Sequence, residues 1–203
     1  MNGMSTTEQV NFWRSRELGE IEWLHARYLT HRFARHWHDG YALGVIVAGA
    51  ETFFSGGIRH CAMSGSVAML NPGEIHDGET ADPAGWRYRM LYPATEVLTR
   101  VASAITERPV PAPHFRRAVV EDPEAARLML AAHHAAQRSR SALERETRLM
   151  EALALLIRRY ADLGPAASTA GGSARLSLAN SCSRPRRDGT PRASRHRCGG
   201  SGW

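Results

Sequence analysis

Hydrophobic and polar positions change period once along this chain. "IEWLHARYL" alternates from Ile21, placing Ile21, Trp23 and His25 on one face. "YALGVIVA" (Tyr41 to Ala48) is a short apolar run with β-branched members. "ETFFSGGIRHCAM" divides into two strands around Ser55-Gly56-Gly57, a hairpin signal. "SVAML" reads as a further strand, stopped by "NPGE". In "WRYRMLY" Trp86, Tyr88, Met90 and Tyr92 share one face and Arg87 and Arg89 the other. Many short strands broken by Gly, Pro and Asn predict an all-β barrel or sandwich.

After Pro93 the period becomes helical. Val97, Val101 and Ile105 recur four apart in "ATEVLTRVASAITE". Asp122-Pro123-Glu124 combines an N-cap, a proline at the first helical position and an acid in the first turn. Leu128, Met129, Ala132 and Ala136 give that helix its apolar face, and His133 and His134 read as solvated. Ser141 with Glu144 fits a capping box opening a helix that runs to about Leu163 and stops at Gly164-Pro165. Leu149, Leu153, Leu156 and Tyr160 form one stripe on it, flanked by Met150 and Ile157. The expected organisation is an arm over 1–20, a β-barrel over 21–93, a helical region over 94–164 and a disordered tail over 165–203.

Charge changes the picture only at the tail. The 203 residues carry a formal charge of +6, yet seven arginines and one aspartate lie from Gly164 onward, so the rest is balanced. The chain has no lysine, and its tail composition is what a GC-rich reading frame supplies after a shift. Three cysteines give no disulfide framework. No stretch is long and apolar enough for a membrane span, and the first residues lack a signal-peptide pattern, which predicts a cytoplasmic protein.

The chemistry lies in "HRFARHWHDG". Residues two apart on a strand point the same way, so His36 and His38 face a barrel interior together, and His76 is placed to join them. Three uses of this trio stay open: ligands to a divalent metal, recognition of a polar small molecule, or satisfied structural histidines. Tyr41 and Trp86 are candidates for the same pocket. The positions where a carboxylate ligand is expected hold Ala42 and Leu43, and Glu51 comes late in the strand.

Taken in order, His36-x-His38-Asp39, Gly49, Gly56-Gly57, Gly65 before "SVAMLNPGE", His76 and "WRYRMLYP" resemble the N-terminal cupin domain of AraC-type transcription regulators. The resemblance implies a double-stranded β-helix barrel followed by a helical hairpin. It also implies a small-molecule effector bound by His36, His38, Tyr41, His76 and Trp86, no enzymatic activity, and a homodimer. The dimer is expected through Leu149, Leu153, Leu156 and Tyr160, because the alanine-rich face of the preceding helix covers only part of that stripe. In the family, DNA is bound by a C-terminal domain with helix-turn-helix units. Nothing after Pro165 has the periodicity of such a domain, so the expectation is a sensor truncated before it. The alternative is a single-domain metal-dependent cupin enzyme, a dioxygenase or isomerase.

Overall fold

The computed structural model describes residues 7–15 and 19–164; the expectations about the tail lie outside them. Eleven strands and three helices follow in order: β1 (Gln9–Ser15), β2 (Ile21–Tyr28), β3 (Arg32–His36), β4 (Ala42–Ser55), β5 (Ile58–Met63), β6 (Ser66–Leu70), β7 (His76–Thr80) and β8 (Trp86–Tyr92). Then come α1 (Thr95–Thr106), β9 (His114–Phe115), β10 (Val119–Glu121), α2 (Pro123–Arg138), α3 (Ala142–Tyr160) and β11 (Ala161–Asp162). One sheet runs β1-β2-β8-β4-β6-β10, and β3, β7 and β5 join around the far half of β4. The result is a double-stranded β-helix barrel with helices after it.

The 14-residue β4 belongs to both walls. Ala42–Val45 pair with β6 and Leu43–Gly49 with β8, whereas Ala50–Ser55 pair with β5. The corner is a β-bulge: Ile46 pairs with Tyr88 and Ala48 with Arg87, leaving one extra residue on β4. Gly49 follows with φ +69°, and a Cβ there would come within 2.0 Å of the Gly85 carbonyl oxygen. Only glycine suits both the left-handed backbone and that approach. The β4–β5 turn is the expected two-residue hairpin, with Gly56 and Gly57 both at positive φ and Ser55 opposite Ile58.

Two apolar cores lie on opposite sides of the large sheet. Ala26, Tyr28, Ala42, Ile46, Phe53, Trp86, Tyr88 and Met90 fill the barrel. Trp23, Tyr41, Leu43, Val45, Met69 and Leu91 face the other way, onto α1, α2 and α3. Asp122 caps α2 through the Glu124 and Ala125 amides, both at 3.0 Å, and Ser141 caps α3 through the Glu144 amide.

Two expectations need correction. The dimer stripe is not on the surface: Leu149, Leu153 and Leu156 are each 0% exposed in the single chain. They pack with Val97, Leu98, Val101 and Phe115, because α1 and the β9 segment supply the cover the alanine face of α2 lacks. Tyr160 is partly buried, its hydroxyl donating to Asp122 Oδ2 at 2.6 Å. Within the arm expected over 1–20, Gln9–Ser15 is an edge strand paired with β2 along its full length. His133 is 1% exposed, not solvated: its Nδ1 accepts from Arg89 Nη1 at 2.9 Å and its Nε2–H donates to the Leu24 carbonyl at 3.1 Å.

Candidate functional site

The register of β3 and β7 builds the site. His36 lies directly opposite His76, and His38 follows in the loop that leads to Gly40. The ring centroids of His36 and His76 are 4.3 Å apart, those of His36 and His38 5.1 Å, and those of His38 and His76 5.2 Å. Each residue offers one ring nitrogen within 4.8 Å of the other two. His36 Nδ1 and His76 Nδ1 each lie 2.8 Å from a main-chain carbonyl, of Ala34 and Glu74 respectively. A carbonyl only accepts, so Nδ1 carries the proton and the Nε2 lone pair is free. Fixing the tautomer through the other ring nitrogen is how protein metal ligands are commonly oriented.

Burial, with the nearby His76 and His36 adding to it, lowers the His38 imidazole to about 3. Burial likewise brings His76 down to about 4, against the opposing Glu74 carbonyl contact. Both rings are neutral near pH 7, the form that accepts from a ligand or binds a cation. The trio therefore fits a divalent metal such as Zn²⁺, which three imidazoles hold with a position left open. No carboxylate belongs to the cluster.

Behind the histidines the barrel is aromatic. Tyr92 lies 4.9 Å from the His38 ring, and Tyr28, Tyr88 and Phe33 continue inward to Trp86. Trp86 is 1% exposed, and its Nε1–H has no hydrogen-bond partner. Glu51 was legible only as a late carboxylate. The β4 bulge shifts the alternation by one, so inward positions change from Ala42 and Ile46 to Glu51 and Phe53. Glu51 Oε1 rests against Gly78, where a Cβ would come within 2.8 Å of it. Burial alone pushes its carboxyl up to about 8.

Tyr41 is not in this pocket. It is 0% exposed on the opposite side of the sheet, its hydroxyl donating to the Pro113 carbonyl at 2.5 Å and its ring edge-on to Phe115. Like Leu43 and Val45, it alternates onto the helix-facing side of β4. The sequence placed it near the histidines in the chain, but the Asp39-Gly40 turn separates their faces.

A barrel of this kind, carrying a histidine cluster at an aromatic interior, defines a cupin-type binding domain. The model of the AraC-like ligand binding domain matches residues 18–153, and the chain belongs to that family. No curated protein matches it. Solved structures similar to it include an RmlC-like cupin family protein with a double-stranded β-helix fold from Methanocaldococcus jannaschii. That protein has 10% identity over 46% of this chain and 86% of its own, with a TM-score of 0.40. A cupin superfamily protein from Desulfitobacterium hafniense has 9% identity over 46% and 84%, with a TM-score of 0.39. A protein described as a mannose-6-phosphate isomerase from Ralstonia eutropha has 8% identity over 44% and 87%, with a TM-score of 0.39.

Proposed function

We propose that this domain is the effector sensor of an AraC-type transcription regulator, binding a small polar molecule inside the barrel at His36, His38, His76 and Trp86. The observation that carries this is the convergence of three imidazoles on an aromatic interior. Neutral imidazoles donate and accept at the same site, which suits a polar ligand in an otherwise apolar pocket. A divalent metal held by the Nε2 atoms of His36 and His76 and a ring nitrogen of His38 would supply a Lewis-acidic anchor for an oxygen of that ligand. In this reading occupancy is passed on to DNA binding, and differential affinity for two states supplies the coupling. A homodimer, where formed, uses a surface other than the Leu149–Leu156 stripe.

The test is a thermal-shift screen of sugars, organic acids, amines and urea-like compounds against the purified chain, with and without Zn²⁺. The expected result is a stabilising compound recovered chemically unchanged, whose effect falls at least tenfold in His38→Ala and in Trp86→Phe. Turnover of the bound compound, with a stoichiometric metal, would replace this reading by the cupin-enzyme one. Stabilisation insensitive to both variants would contradict a barrel site.

A further inference from the structure

Two polar groups on the inner side of the barrel lack partners, and they are of opposite kinds; Trp86 is buried and Glu51 half-buried. The Glu51 carboxylate is an acceptor with no hydrogen bond or opposite charge, since burial is the one influence acting on it. The Trp86 indole N–H is a donor with no acceptor. They are near in register: Trp86 pairs with Gly49, two residues before Glu51 on β4. A side chain at position 78 would occupy the carboxylate's place, so Gly78 keeps that space. Aromatic rings complete the surroundings. Phe33 touches Gly78, Tyr88 feels the Glu51 charge, and Tyr28 and Tyr88 lie within 6.2 Å of Trp86.

We propose that the barrel recognises a small organic cation, a primary ammonium or guanidinium group, with Glu51 as its counter-ion and the aromatic rings around it as its walls. This rests on the effector reading above and names the ligand's class. A carboxylate partly withdrawn from water and without a partner is harder to ionise, and a bound cation offsets that. Aromatic faces attract organic cations through their quadrupoles. Metal cations such as Ca²⁺ and Mg²⁺ need several oxygens, which this end of the barrel does not offer. An acceptor atom on the same ligand satisfies Trp86. The titratable groups around the interior besides Glu51 are Tyr28, Tyr88, Tyr92, His36, His38 and His76, with Glu74 and Asp77 acting on His76. Glu74 is held by Ser55 and Asn71 and Asp77 by the Phe54 amide, which leaves Glu51 as the carboxylate without a partner among them.

Cation binding must then release a proton. With the carboxyl at about 8, most free protein at pH 7 carries a protonated Glu51, and a cationic ligand selects the ionised form. Calorimetry with n-butylammonium, n-butylguanidinium, 1-butanol and butyrate, run at pH 7 in phosphate and in Tris, reads both affinity and protons. The expected result is at least tenfold tighter binding of one of the two cations than of butanol or butyrate, with close to one proton released. Glu51→Gln has the shape of the protonated acid and should keep the fold. It should weaken cation binding at least tenfold and abolish proton release. Equal binding of butanol, no proton release, unaltered binding in the variant, or no binding of either cation would each overturn the cation assignment. None of these outcomes touches the effector reading, which stands or falls on His38→Ala and Trp86→Phe.

Discussion

At the scale of single residues, direction matters more than position in the chain. Tyr41 and Glu51 lie on the same strand or beside it; Tyr41, expected in the pocket, lies on the helix-facing side, and Glu51, read only as a late carboxylate, lies on the inner side. Alternation from Ala42 predicts the face of Tyr41 correctly once the turn at Gly40 is recognised. It mispredicts Glu51, because an extra residue at the bulge changes the parity and nothing in the local composition marks that residue. The functional consequences separate cleanly. Tyr41→Phe should cost about 0.5–1.5 kcal/mol for its lost hydrogen bond and leave ligand binding unchanged, as judged by denaturant unfolding and titration of any bound compound. Gly78→Ala places a methyl against the Glu51 carboxylate. It should reduce cation binding by tenfold or more while the melting temperature of the free protein moves little. A large binding loss in Tyr41→Phe would return that residue to the pocket.

At the scale of elements, the apolar stripe of α3 is covered within its own chain. The heptad-like stripe of α3 was plain in the sequence, and so were all three helix starts. What covers the stripe was not, because the cover comes from Val97, Leu98 and Val101 of α1 and from Phe115, a residue in irregular sequence. Replacing Leu153 and Leu156 with charged residues should therefore unfold the domain, and Leu153→Ala alone should cost about 2–5 kcal/mol. A folded monomer from the charged double variant would contradict this packing. Asp122 joins the two long helices: besides capping α2, it accepts from Arg159 Nη1 at 2.7 Å and from the Tyr160 hydroxyl at 2.6 Å. Those bonds, the Tyr160 hydroxyl foremost, hold its carboxyl well below the usual carboxylate range. Asp122→Ala should cost about 2–4 kcal/mol, combining a lost cap with lost charge-assisted bonds, measured as a shift of the urea midpoint.

At the scale of the whole molecule, two buried groups give stability opposite dependences on pH. His133, lowered to about 3 by burial and then by Arg89, takes up its proton near 6.5 only in the unfolded chain. Its contribution is complete above about pH 6.5 and is lost progressively as pH falls toward 3. Glu51, raised to about 8, behaves in reverse: the unfolded chain ionises near 4.5, so stability falls as pH rises from there to about 8. Glu51→Gln should remove its share of the alkaline decline and His133→Gln should lessen the acid one, to which His38 and His76 also contribute, both read from melting temperatures between pH 4.5 and 8.5. No helix among the described residues is long and apolar enough to cross a membrane. The barrel, its turns and the pairing of His36 and His38 were all legible in advance, since they follow from period and turn chemistry. His76 and Trp86 were named with that pair, whereas Glu51 and Phe33 depend on the β4 bulge and on long-range register and were not. The most direct test of the barrel as effector site is a histidine-resolved NMR titration with a compound from the screen. Ring resonances of His36, His38 and His76 should shift together at saturation, while those of His25, His133 and His134 on the far side of the sheet stay in place. Shifts confined to His25, His133 and His134 would contradict it.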